Sequence, residues 1–186
     1  MRTQVTGLKA GTLSHGSPFQ LGLIMINRGI YKIKNKYFED FPDKYLRHNN
    51  DENRPCYYCL TDNNTGLAWM IPMSRRIEKY KSIIEKRKSM NKPTDSMHVA
   101  KIDTGDESVF IISDMFPVTD EYILAEYTVG GNHLRITSNV LAEAIERKAK
   151  RILSLIRKGI CIHSKQPDVL KIEKELITKL SGKQIV

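Results

Sequence analysis

Arg54 and Ser74 stand twenty positions apart, and each sits at one end of an apolar run. Arg54 precedes Pro55 and opens Cys56-Tyr57-Tyr58-Cys59-Leu60; Ser74 closes Trp69-Met70-Ile71-Pro72-Met73 and is followed by Arg75 and Arg76. Tyr, Trp, Cys, Leu and Ile suit a pleated surface, and Asp62-Asn63-Asn64-Thr65-Gly66 between the runs has turn chemistry. In an antiparallel pair Arg54 and Ser74 become neighbours at the same end of the sheet. A guanidinium pairs with phosphate oxygens in bidentate fashion. A hydroxyl at the start of a helix meets backbone N–H groups that already favour an anion. The pair therefore outlines a phosphate site. A metal-free nuclease acting on RNA would need this much, plus a base near the 2′-OH and an acid at the leaving 5′-oxygen.

Each of these residues also has a plainer reading. Arg54 can be a surface arginine in a loop, and Ser74 an N-cap, a role compatible with holding an anion. Arg75 and Arg76 read as phosphate contacts or as a solvated helix start. His98 stands on an expected strand, either an acid–base group or a satisfied strand histidine. Tyr57, Tyr58 and Trp69 can stack bases, but alternation should bury about half of them. Cys56 and Cys59 are spaced as a metal half-site, yet residues three apart on a strand point to opposite faces. With Cys161 the only other cysteine, no metal is expected, and the cysteine usage fits a reducing cytoplasm. Arg157 and His163 have a spacing permitted in HEPN-type ribonucleases, with Gly159 breaking the helix between them.

The elements that must position these groups are legible from periodicity. Residues Met1 to Ile24 hold no acidic residue and are rich in Gly, Ser and Thr, so they read as a disordered or non-native extension. The apolar run Leu21 to Ile26 is too short for a secretory core. Residues 25–186 then form one domain. Gly29 to Lys34 alternates as a strand, and Lys36 to Phe41 is a helical turn stopped by Pro42. A polar loop from Arg47 to Asn53 leads into the hairpin. Met73, Ile77, Tyr80 and Ile84 recur at helical spacing, opposite a face carrying most of the eight Lys or Arg between Arg75 and Lys92, against two Glu. Pro93 ends that helix. Strands follow at His98–Ile102 and Ser108–Ile112 around the Asp103–Asp106 turn, then a short helix capped by Thr119 and a strand at His133–Ile136. A helix over 138–158 has the stripe Leu141, Ala144, Ile145, Ala149, Ile152, Leu155 and Ile156, stopped at Gly159. A last helix over 168–180 uses Val169, Ile172, Leu176 and Leu180. The sum is an α+β fold: a small, strongly bent antiparallel sheet or barrel with inserted and C-terminal helices.

The 186 residues are 40% hydrophobic and 27% charged, with a formal net charge of +9. That surplus points to an anionic partner. Nucleic acid fits better than a membrane, because no segment has the length or amphipathic purity of a membrane element. A DNA-binding regulator would need a recognition helix behind a helix-turn-helix pattern, which is not found. An RNA-cleaving enzyme and a non-catalytic module for structured RNA both remain.

The residues resemble the type III toxin-antitoxin toxins of the ToxN, AbiQ, CptN and TenpN group, nearest to its CptN members, over roughly Arg28 to Lys158. The resemblance is carried by Gly29-Ile30-Tyr31 with Tyr37, by Arg54-Pro55, by Met70-Ile71-Pro72-Met73-Ser74, and by Met115-Phe116-Pro117-Val118, in that order and spacing. It implies an SH3-like barrel related to MazF and Kid toxins, and a metal-independent endoribonuclease that serves phage defence by abortive infection. It also implies a repetitive RNA antitoxin cut into pseudoknotted units, which bind back and close a ring of toxin and RNA, with cellular RNA as substrate. By motif, Ser74 is the active-site hydroxyl, Tyr37 a nearby aromatic, and the Arg54-Pro55 entrance the source of the cation. One departure stands: the ToxN pattern places a lysine after the proline, where this chain has Cys56. The expected catalytic set is Ser74, Arg54, Tyr37 and His98. The expected RNA contacts are Arg75, Arg76, Lys79, Lys86, Tyr31 and Lys36, with no metal and no cofactor.

Overall fold

The computed structural model describes residues 25–46 and 52–183. The expected extension over 1–24 and most of the expected polar loop lie outside them. The chain begins with strand β1 (Ile30–Ile33) and the short helix α1 (Asn35–Asp40). The hairpin is β2 (Cys56–Thr61) and β3 (Ala68–Ser74). Its turn forms as its residues dictate. The Asp62 side chain accepts the Asn64 N–H at 2.9 Å, the Asp62 carbonyl accepts that of Gly66 at 2.7 Å, and Gly66 takes a φ of 71°. Helix α2 (Ile77–Ser89), strands β4 (His98–Lys101) and β5 (Glu107–Phe110), and strand β6 (Phe116–Val118) come next. Strands β7 (Ile123–Glu126), β8 (Thr128–Val129) and β9 (Asn132–His133) precede helices α3 (Asn139–Arg157) and α4 (Val169–Lys183).

Strand β3 is the axis of the sheet. Along one edge it pairs with β2, with Cys56 opposite Pro72 and Tyr58 opposite Met70. Along the other it changes partner: Ala68 to Met70 pair with β6, while Met73 and Ser74 pair with β5. All of these pairings are antiparallel, and the order β4-β5-β3-β2-β1-β7 leaves the sheet open. The expected small, bent antiparallel sheet is thus seven-stranded, and the strand path does not close into a barrel.

The hairpin is buried on both faces, so the expected alternation of core and surface fails there. Tyr57, Tyr58 and Trp69 are all buried, which removes base stacking as a role for each. Helix α3 covers β2, and α4 packs on β6. Ser138 caps α3 by accepting the Leu141 N–H at 3.3 Å. The buried stripe of α3 runs through Ala142, Ile145, Ala149, Ile152, Leu153 and Ile156; Ala144 and Leu155, expected there, lie at its edge. Helix α2 packs Tyr80 with Met97, Val109 and Ile111 in a separate small core, joined by Ile77, Ile84 and Val99. Of the expected strand His133–Ile136, only His133 pairs within β9, and Arg135 forms a single bridge with Gly29.

A candidate phosphate cleft at the exit of the central hairpin

Ser74 is the last residue of β3, half buried, and its Oγ accepts the Arg76 N–H at 3.2 Å. It lines a cleft of about 80 Å³ together with Arg75, Pro55, Met73, Ser108 and Tyr127. Three elements meet there. The hairpin exit supplies Ser74 and Arg75, the β4–β5 turn brings Thr104 and Asp106, and the chain after β7 brings Tyr127. Arg75 Nη2 donates to the Tyr127 hydroxyl at 3.5 Å. Lys32 stands over the Tyr127 ring at 5.9 Å and donates to Asn53 Oδ1 at 3.1 Å. Thr104 Oγ1 donates to Asp106 Oδ2 at 3.3 Å, leaving a carboxylate beside a hydroxyl and a guanidinium in one recess.

Arg54 does enter the hairpin at the Ser74 end, since Met73 donates its N–H to the Pro55 carbonyl at 2.9 Å. Its side chain, however, lines a neighbouring pocket with Cys56, Pro72, Asp114, Phe38 and Phe116. The reason is pleating: residues 54, 56 and 72 share one face, while Pro55 and Met73 face the cleft. Backbone adjacency was readable from the sequence, but the face was not.

Two expected contacts are overturned by burial. Tyr37 is fully buried, donates its hydroxyl to the Pro117 carbonyl at 2.7 Å, and is boxed in by Phe41, Phe116 and Tyr122; burial raises its phenol well above the ordinary value. It is a core residue, not an active-site aromatic. Tyr31 is likewise fully buried, with its hydroxyl accepting the Ile26 N–H at 2.6 Å, so it offers RNA no surface.

His98 lies on β4 and lines a different recess, between α2 and α3, away from Ser74. Burial, and then the Lys148 charge, push its imidazole down to about 4. Arg76, Lys79 and Lys86 are exposed on or beside α2, and Lys36 is exposed on α1 in an ion pair with Asp40 at 2.9 Å. Cys56 and Cys59 are buried strand residues whose thiols burial raises to about 12. The Arg157–His163 pair is not assembled. Arg157 donates to Asp62 at 2.5 Å and to Glu173, whereas His163 Nε2 lies 3.1 Å from Asp114 Oδ1. Thr104, Asp106, Ser108 and Tyr127 were not singled out from the sequence. The first two read there only as turn residues, and nothing local marks Tyr127.

No protein-family model and no curated protein matches this chain. A solved structure does: AbiQ, a lactococcal anti-phage endoribonuclease belonging to the type-III toxin-antitoxin system. The two align with a TM-score of 0.62 at 14% identity, over 83% of this chain and 98% of AbiQ. At that identity the likeness establishes a shared α+β fold.

Proposed function

We propose that this chain is an endoribonuclease toxin of a type III toxin-antitoxin pair. In this reading it cleaves cellular RNA, without a metal, through the RNA's own 2′-OH. A repetitive structured RNA antitoxin, which it cuts into units and binds, restrains it in a cytoplasmic toxin–RNA ring. The observation that carries the reading is the fold shared with AbiQ over nearly all of that chain. Fold alone does not give function, so the cleft must supply the chemistry. The +9 charge and the hydroxyl, guanidinium and carboxylate gathered at the hairpin exit support it.

The cation on the scissile phosphate is Arg75, which shares the cleft with Ser74, rather than Arg54. Ser74 Oγ and the Arg75 guanidinium hold the non-bridging oxygens as charge builds on them. The Asp106 carboxylate takes the 2′-OH proton, the 2′-oxygen bonds to phosphorus, and the bond to the 5′-oxygen breaks. The Tyr127 hydroxyl gives that oxygen its proton. The products are a 2′,3′-cyclic phosphate and a free 5′-hydroxyl.

The test is incubation of the purified protein with RNA transcribed from tandem repeats beside its gene, with and without excess EDTA. The expected result is cleavage in both, ending in a cyclic phosphate, and none when the 2′-OH at the cleaved nucleotide is replaced by hydrogen. Binding without cleavage in either condition would replace the enzyme by an RNA-binding module. Cleavage lost only in EDTA would sink the metal-free step.

A further inference from the structure

Helix α2 carries two rows of lysines, each with a spacing of seven residues. Lys79 and Lys86 are exposed to solvent. Lys81 and Lys88 line a groove of about 300 Å³ between α2, β4 and α3, together with Glu85, Thr94, Met97, His98 and Lys148. Seven residues are two turns, so Lys81 and Lys88 stand about 10 Å apart along the groove wall. Lys148 faces them from α3. Its Nζ donates to the Met97 carbonyl at 3.3 Å, and among the described residues no carboxylate pairs with it. Burial lowers the Lys148 ammonium, the charge of Asp95 opposes it, and Arg147 adds a smaller lowering.

The carboxylates of the groove are held loosely. Lys81 pairs with Glu107 at 2.8 Å and Lys88 with Glu85 at 2.8 Å, with all four side chains more than a third exposed. Exposed pairs of this kind contribute little, so either lysine can exchange its carboxylate for a phosphate. His98 on the floor is neutral at physiological pH and keeps both a donor and an acceptor nitrogen. The groove therefore offers three cations and a neutral hydrogen-bonding ring in one channel.

We propose that this groove is a second RNA-binding subsite, in which Lys81, Lys88 and Lys148 hold backbone phosphates and His98 meets a ribose or base edge. It rests on the RNA-directed reading above and extends it, because the groove is separate from the Ser74 cleft. β5 lies between them: Ser108 lines the cleft, and Val109 belongs to the small core under Tyr80. A strand occupying both sites is longer than the cleft alone can hold.

The probes are fluorescent 2′-O-methyl oligouridines of about four and about sixteen nucleotides, the span of single-strand sites, which bind without being cut. For the native protein the longer probe should bind more tightly and with the steeper salt dependence. The double variant Lys88→Gln, Lys148→Gln should weaken the longer probe about tenfold and lower its salt slope by about 1.4, roughly 0.7 per lost phosphate contact, with the short probe unchanged. Lys88→Gln alone, at an exposed position, should remove about half of that slope without loss of stability. Measured by NMR, the His98 pKa should rise with the long probe bound, because a phosphate places negative charge beside an imidazole that burial and the Lys148 charge hold down. In this groove Lys81 and Lys88 face Glu85, Glu107 pairs with Lys81, and Asp95 acts on Lys148. An unchanged affinity and slope for the long probe would overturn the groove while leaving the RNA reading intact. An equal loss for both probes would place the lysines' effect elsewhere and also overturn it. Failure of the native protein to bind either probe at low salt would overturn the RNA reading, and this inference with it.

Discussion

Ser74 reaches the cleft because β3 ends on it and the chain turns there into α2, so its hydroxyl sits beside Arg75 while it receives the Arg76 N–H. Ser74→Ala and Arg75→Ala remove groups placed to meet developing charge on a phosphate. Each should lower kcat/KM for RNA cleavage about 10²–10³-fold, the usual effect of deleting one such donor, with the melting temperature unchanged. Arg54→Ala should cost far less, because its side chain lines the pocket on the other side of Pro55, near Asp114. Cleavage rates of the three purified variants decide between the two pockets. A loss for Arg54→Ala as deep as for Arg75→Ala would move the reacting phosphate to the Arg54 side. Burial makes a separate distinction, since Tyr31 and Tyr37 have the right residue type but no access to a substrate.

At the level of elements, the approach of the β8–β9 turn to the start of β1 explains why Gly29 stands where it does. A Cβ there would lie 2.7 Å from His133 Cε1 and 2.7 Å from Tyr31 Cε2, closer than real side chains pack. His133 is held in place by Glu126 at 3.2 Å and by the Ile30 carbonyl at 3.0 Å, so it has little room to retreat. Gly29→Ala should therefore destabilise the fold by about 1–3 kcal/mol, the ordinary cost of overpacking. At this chain length that lowers the thermal midpoint by several degrees, measurable by calorimetry. A midpoint equal to the native one would mean the turn moves freely.

Across the whole molecule, Arg157 ties together parts that are far apart in sequence. It joins the end of α3 to the hairpin turn through Asp62 and to α4 through Glu173, and lies 5.8 Å from the Trp69 ring centre. Arg157→Gln should leave two largely buried carboxylates short of a partner, costing about 1–3 kcal/mol, while the cleavage rate at low temperature stays native. Loss of cleavage with unchanged stability would instead revive the catalytic pairing with His163. What the sequence determined by itself is what short-range physics dictates. The Asp62–Gly66 turn, the hairpin, the helix over 138–158 stopped at Gly159, the α2 spacing and the basic surface all follow from local chemistry and periodicity. The expected polar alternation failed where both faces of the hairpin are covered, because burial there comes from α3 and from neighbouring strands rather than from the strand's own pattern. The same cause hid the rest of the cleft. Asp106 and Tyr127 are 32 and 53 positions beyond Ser74; the first joins it because β3 exchanges β6 for β5 midway, the second because β7 pairs with β1 and Tyr127 donates its N–H to the Ile30 carbonyl at 2.8 Å. Which face a side chain takes, and which distant turn folds over it, depends on that exchange of partners, a long-range pairing that no local window of residues encodes.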